Sequence, residues 1–301
     1  MKKLELNDIL GNTSELKDKK VWYVSIIWRP NSWKSTFINA LIWEKVVITS
    51  NIPQTTRNKI LAIYNDEESQ IVFLDTPWVH ESSKSFNIEM NSQAISSIAD
   101  ADVILYFIDT SRIRWTEEVY IEWFLMKAQK PIITVYTKND LKAKYSESIV
   151  GQESISISSI TREWFPELLN SIKSKLSSGP ILFPEEYYTK QDMRFRISEI
   201  IREKLYGELK EELPHSIFVS TEEIDETTQP WLLRISAYIY TETDSQKYIV
   251  IGKWWTLLSR VWKLAREELE SILWTKIFLA LRVKVRKWWR KDEKLLKKMF
   301  E

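Results

Sequence analysis

The chain has 301 residues, a formal net charge of +1 and no cysteine, with 44% hydrophobic and 28% charged residues. That composition is globular and long enough for two cores. It excludes a disulfide framework or a Cys-based metal site, and no stretch approaches the roughly 20 apolar residues needed to cross a bilayer. The start, Met1 to Leu6, lacks the apolar stretch of a signal peptide, so a cytoplasmic location is expected.

In chain order, Val21–Ile27 is a short apolar run rich in β-branched residues, as expected of a buried parallel strand. A helix is predicted from about Ser35 to Ile42. Further strands are predicted at Ile71–Asp75, Val103–Asp109, Ile132–Thr137 and Ser154–Ile157, with helical patterns at Glu117–Lys127 and Pro166–Leu176. Strands alternating with helices predict an α/β fold with a doubly wound, mostly parallel sheet, whose ligands bind at the carboxyl ends of the strands. Ser177-Ser178-Gly179-Pro180 is punctuation where a helix stops.

Beyond it the pattern changes to a small α+β unit. The pattern predicts a helix over Met193–Leu209, strands at Ser216–Thr221, Leu232–Thr241 and Lys247–Ile251, a helix over Leu257–Leu273, a strand at Ile277–Val285 and a basic final helix. The expected division is 1–178, a linker at 179–192, and 193–301. From Ser271 to Glu301 ten Lys/Arg face three acidic residues, a local charge of +7. Such an end suits phosphate backbones or an anionic membrane surface; a solvated helix face is the plain alternative.

Glycine and tryptophan are out of proportion. The chain has 5 Gly and 15 Trp, where about 7% glycine, roughly 21 residues, is ordinary. One hypothesis is that the gene uses UGA for glycine and that these codons are written here as tryptophan. The alternative is a chain rich in tryptophan for stacking on RNA.

The motifs bear on that choice. Trp28-Arg29-Pro30-Asn31-Ser32-Trp33-Lys34-Ser35 fits the phosphate-binding pattern G-x-x-x-x-G-K-[ST] in spacing, lysine and serine, with tryptophan at both glycine positions. In such a loop, backbone N–H groups at a helix N-terminus cradle phosphates; Thr36 continues that helix. Lys34 would serve the β- and γ-phosphates and Ser35 would serve Mg²⁺. Asp75-Thr76-Pro77-Trp78 ends an apolar strand and reads D-T-P-G with glycine restored; the Asp would hold a metal-bound water, and the glycine N–H would approach a γ-phosphate. Thr137-Lys138-Asn139-Asp140 is similar to N-K-x-D, the guanine-specificity element. Asp140 would accept hydrogen bonds from guanine N1 and N2, and Lys138 would lay its stem along the base. Ser158-Ser159-Ile160 falls where a further guanine-side loop is expected.

From about Lys20 to Arg290 the chain resembles the Era family of ribosome-assembly GTPases. The resemblance includes Ile52-Pro53-Gln54-Thr55-Thr56-Arg57, similar to the family's first switch, Phe183-Pro184-Glu185-Glu186-Tyr187, the run from Ser198 to Leu205, and Asp244-Ser245-Gln246-Lys247. It implies GTP and GDP as ligands, Mg²⁺ held by Ser35, Thr56 and Asp75, and catalysis carried by Lys34, Thr56 and Asp75. It also implies a second domain of the type II KH fold, in which Ile249-Val250-Ile251-Gly252-Lys253-Trp254-Trp255 reads I-V-I-G-K-G-G. That loop, expected between a strand and a helix, would clamp single-stranded RNA with Gly252, Lys253, Trp254 and Trp255.

The implied partners are small-subunit ribosomal RNA and the pre-ribosomal small subunit, with peripheral contact at the inner membrane surface and a monomeric state. Asn31 matches an asparagine that binds potassium in related GTPases, so K⁺ is an expected further cofactor. Lys287-Trp288-Trp289-Arg290, against the family's K-K-G-W-R, implies glycine at Trp288 and true tryptophan at Trp289. Trp22, Trp43, Trp164, Trp262 and Trp274 match family glycine positions; Trp115, Trp123 and Trp231 are undecided. Val79 stands where Ras-like enzymes place a water-orienting glutamine. With literal tryptophans the alternative is a nucleotide-inactive RNA-binding KH protein; a further one is a translational-type GTPase without RNA specificity.

Overall fold

The computed structural model describes residues 19–28, 34–49, 59–75, 95–113, 116–138, 140–142, 144, 150–151, 153–158, 161, 165–226, 231–287 and 289. The first sheet is built from β1 (Lys19–Trp28), β2 (Ile60–Asn65), β3 (Ser69–Asp75), β4 (Val103–Asp109), β5 (Ile132–Thr137), β6 (Glu153–Ser156) and β7 (Ser178–Gly179), in the order β2-β3-β1-β4-β5-β6, with β7 paired to the start of β1. The pairs β3–β1–β4–β5–β6 are parallel, whereas β2 runs antiparallel to β3 and β7 antiparallel to β1. β3 and β4 are buried at every residue, which is why Ile71–Leu74 and Val103–Ile108 read as unbroken apolar runs.

Helix α1 (Lys34–Ile42) follows β1, and α2 (Thr116–Met126) and α3 (Phe165–Lys175) follow later strands. Phe37 of α1 meets Phe73, Phe107 and Phe165 edge-on, with centroids 6.2, 4.9 and 5.3 Å apart. Each such pair adds about 0.5–1.5 kcal/mol beyond its buried area. Together they fix the start of α1, and with it Lys34, over the carboxyl ends of β1 and β3.

The second unit has its own core. It is made of α4 (Met193–Glu208), β8 (Phe218–Asp225), β9 (Leu232–Thr241), α5 (Asp244–Ile251), α6 (Thr256–Leu273) and β10 (Lys276–Val285). The sheet order is β10-β9-β8, parallel for β10–β9 and antiparallel for β8–β9. The expected strand at Lys247–Ile251 is instead the end of α5. Thr243 and Gln246 form a complete capping box at its start, and the four-residue apolar run Tyr248–Ile251 cannot by itself tell strand from helix. The Gly252 loop therefore joins two helices rather than a strand and a helix. Ser216 is not in a strand but ends a short 3-10 turn, Pro214–Ser216. The basic final helix lies outside the described residues.

Residues 180–192 run along the edge of the first sheet. Leu182 and Phe183 N–H groups donate to the Gln70 side chain at 2.7 and 2.9 Å, Ile63 N–H donates to Tyr188 O at 2.9 Å, and Thr189 bridges to Ala62. The edge strand β2 is thereby covered, which removes an exposed pairing edge. A polar cluster links the two units. Glu203 accepts from Thr49 N–H at 2.9 Å and pairs with Lys45 and with Lys204, and both lysines also meet Glu268.

Burial pushes the Glu203 carboxyl up, but Lys45, the Thr49 N–H and Lys204 outweigh it, so its pKa lies below the ordinary value. A depressed carboxylate contributes stability above its unfolded pKa and loses it as pH falls through the folded value. Glu203→Gln should therefore cost about 1–3 kcal/mol at neutral pH, a discount for the lysines' partial exposure. The gap in melting temperature between wild type and variant should be widest above the ordinary glutamate pKa of about 4.3 and shrink as pH falls below it; a gap that stays constant or widens as the solution is acidified would contradict this account.

Seven described non-glycine residues have left-handed φ, and four are tryptophans: Trp43 (62°), Trp254 (56°), Trp255 (65°) and Trp274 (52°). Trp43 follows α1 and Trp274 follows α6, the position where helices end on a left-handed glycine. That conformation costs an L-residue roughly 1–2 kcal/mol, so the four together cost about 4–8 kcal/mol, the scale of a domain's net stability.

Candidate nucleotide and RNA sites

Lys34 opens α1, and Asp75 closes β3. Their side chains form an ion pair, and they are 1% and 0% exposed. Besides this ion pair, neither Asp75 carboxylate oxygen has a hydrogen-bond partner. A buried carboxylate with orphaned oxygens beside a helix start is suited to a hydrated divalent cation, and Ser35, half-buried on the first turn of α1, supplies the adjacent hydroxyl. These residues fit Mg²⁺; the ion would neutralise charge between phosphate oxygens. Burial drives the Lys34 ammonium pKa well below its ordinary value. A phosphate chain would supply the negative charge that restores the protonated form.

The ammonium also lies 4.3 Å from the centroid of the Trp28 ring, at the end of β1. Thr36 is half-buried one residue after Ser35. Arg29, Pro30, Asn31, Ser32, Trp33, Thr56, Thr76, Pro77, Trp78 and Ser159 lie outside the described residues.

A second group gathers where β4, β5 and β6 end. Thr137 donates its hydroxyl to Ile108 O at 3.1 Å, and its carbonyl accepts from the Thr110 hydroxyl at 2.9 Å. Thr thus braces the adjacent strand end from the position where the family motif has Asn. Lys138 has φ 63° and donates to Asp109 Oδ2 at 2.6 Å. Asp140 is exposed, and its Oδ1 accepts from the buried Ser158 hydroxyl at 2.7 Å. The loops after β5 and β6 are therefore tied together at the carboxylate, leaving it turned to solvent as an acceptor. Asp109 was not singled out from sequence. The only signal was an acid closing an apolar strand, yet it is buried and holds both Lys138 and Arg112.

In the second unit, Gly252 ends α5 at φ 76°, ψ 161°. A Cβ there would come within 2.8 Å of Leu257 N, so only glycine fits. The turn Lys253–Trp255 follows and leads into α6. Lys253, Trp254 and Trp255 are all exposed. This tight, projecting turn between two helices can bring a backbone close to a ligand strand.

Two family models match: the 50S ribosome-binding GTPase model over residues 23–138 and the KH domain model over residues 212–290. GTPase Era of Geobacter metallireducens is 38% identical over 286 residues, covering 92% of this chain and 96% of the relative. The chain belongs to the Era GTPase family. It is accordingly a GTP-hydrolysing enzyme with a P-loop GTPase fold followed by a KH domain.

GTPase Era of Borreliella afzelii is likewise 38% identical, over 289 residues covering 93% of this chain and 99% of the relative. A crystal structure of a variant of Aquifex aeolicus Era bound to GDP and tetrafluoroaluminate superposes with a TM-score of 0.87 at 35% identity, covering 93% of this chain and 98% of that one. Era bound to MgGDPNP and nucleotides 1506–1542 of 16S ribosomal RNA gives 0.86 at 34% identity, covering 94% and 98%. The Lys34–Asp75 and Asp140–Ser158 pairs stand at the carboxyl ends of the strands, where open α/β sheets bind ligands.

Proposed function

We propose that this GTPase binds small-subunit ribosomal RNA through its KH domain, assists small-subunit assembly, and releases the RNA when GTP is hydrolysed. The observation that carries it is the pairing of two separate devices in one chain. One is a buried Lys34–Asp75 pair with open carboxylate valences; the other is a side-chain-free Gly252 before the exposed Lys253 turn.

In this reading the domains are 1–178 and 193–301, joined by 179–192. Lys34 and the loop Trp28–Thr36 hold the phosphates, Ser35, Thr56 and Asp75 hold Mg²⁺, and Asp75 to Trp78 senses the γ-phosphate. Thr137, Lys138, Asp140, Ser158 and Ser159 hold guanine. The RNA strand passes over Gly252 to Trp255, with Lys253 at a phosphate. Titrating RNA with the sequence of 16S ribosomal RNA nucleotides 1506–1542 against wild type and Lys253→Ala tests it. The variant should bind more weakly across sequences and lose about one unit of salt slope; an unchanged slope would refute the RNA assignment.

Asn31 adds a potassium ion that spreads positive charge over the phosphates as an arginine finger does. Turnover should then be faster in KCl than in NaCl, and equal rates would remove the ion. The basic end from Ser271 to Glu301 makes a peripheral contact with anionic membrane, one that high salt should release. The protein is otherwise cytoplasmic and monomeric.

The nucleotide-inactive reading is weaker. A chain without nucleotide chemistry has no reason to bury a lysine against an otherwise unsatisfied carboxylate.

A further inference from the structure

We infer that Trp43, Trp254, Trp255 and Trp274 stand where the living cell inserts glycine, because their codon, UGA, is decoded as glycine. The ground is conformational and independent of any likeness to other proteins. All four have φ between 52° and 65°, the region that glycine enters freely and a bulky side chain does not.

Burial of their side chains does not compensate for this backbone strain. The four indoles are between 61% and 93% exposed, so burial does not offset the strain. Trp43 and Trp274 occupy the left-handed ends of two helices, and Trp254 and Trp255 are consecutive left-handed residues, which only glycine adopts routinely.

Trp289 is the internal contrast. It is fully buried, donates its indole N–H to Ser216 O at 3.0 Å, and lies 5.8 Å from the Phe218 ring. It has the burial and the hydrogen bond expected of a true tryptophan, so its codon is UGG. Trp22 in β1 and Trp262 in α6 have ordinary backbone angles; only a shared codon would bring them into the same set.

The same codon at Trp28, Trp33 and Trp78 would put glycine where a phosphate loop needs close backbone approach. At Trp28 it would remove the indole lying against the Lys34 ammonium. The loop from Gly252 would then be free of side chains at three of its four residues.

The test is tandem mass spectrometry of peptides from the protein purified out of its own cells, spanning residues 43, 254–255, 274 and 289. Glycine at the first four and tryptophan at 289 is the expected result; an indole at any of the four overturns the inference. This readout is residue identity, so it stands or falls separately from GTP turnover.

Two recombinant chains give a second reading. Glycine at the four positions should raise Tm by roughly 10 °C over the chain with tryptophan there, whereas Trp289→Gly should lower it. An unchanged or lower Tm in the four-glycine chain would remove the conformational ground.

Discussion

Lys34→Met lowers GTP turnover by at least about 10²–10³-fold, the loss that follows removal of one preorganised donor from developing transition-state charge. Methionine keeps the stem's length and its packing, so the fold stays and the charge goes. The size of the effect follows from where the ammonium sits. It is fully buried, paired with Asp75, and held at the first turn of α1 by the Phe37 cluster. A charge in that position is far less screened than one in water.

Removing it leaves Asp75 as a buried carboxylate without the lysine's charge beside it, an arrangement that burial penalises. The Asp75 site should then hold metal-bound water less well, so Mg²⁺ dependence should change along with turnover. Phosphate release measured across a magnesium titration checks both. Turnover within a few-fold of wild type would mean that Lys34 does not face the phosphates.

Asp140→Asn should weaken GTP binding by about 10²–10⁴-fold, equivalent to roughly 3–6 kcal/mol for two charge-assisted hydrogen bonds. The ionised carboxylate only accepts, and guanine offers two neighbouring donors at N1 and the 2-amino group. An amide presents one acceptor and one donor, so its NH₂ opposes the 2-amino group. Xanthine has a carbonyl at that position, and the same variant should therefore gain affinity for xanthosine triphosphate.

The geometry supports so large an effect. Ser158 fixes one oxygen at 2.7 Å, and Asp109 anchors the neighbouring Lys138, so the carboxylate cannot easily swing to a compensating pose. Competition of GTP and xanthosine triphosphate against a fluorescent GTP analogue reads the exchange. Equal losses for guanine and xanthine nucleotides would indicate collapse of the loop rather than loss of a specific acceptor.

Local chemistry alone located much of this protein. Val103–Asp109, Ile132–Thr137 and Leu232–Thr241 lie in the structure at the residues expected, because a buried strand must be apolar throughout and a half-buried one must alternate. The lysine and serine of the phosphate loop, and the acids closing strands, were legible because fixed spacings carry that chemistry. The surplus of tryptophan over glycine was plain from composition.

Other features depend on residues far apart in the chain, and these only the tertiary structure decided. Lys247–Ile251 is apolar enough for either a strand or a helix, and the Thr243–Gln246 box with Val250 turned into the core makes it helical. Residues 180–192 looked like free linker, yet Gln70 and β2 take up their backbone groups. Asp109 and Lys45 carry no motif; their meaning lies in partners 29 and 158 residues away. Left-handed backbone at Trp43 and Trp274 likewise belongs to how two helices end and turn. Composition and periodicity record what each residue prefers, whereas an ion pair, a covered edge or a strained turn exists only once the chain has closed on itself.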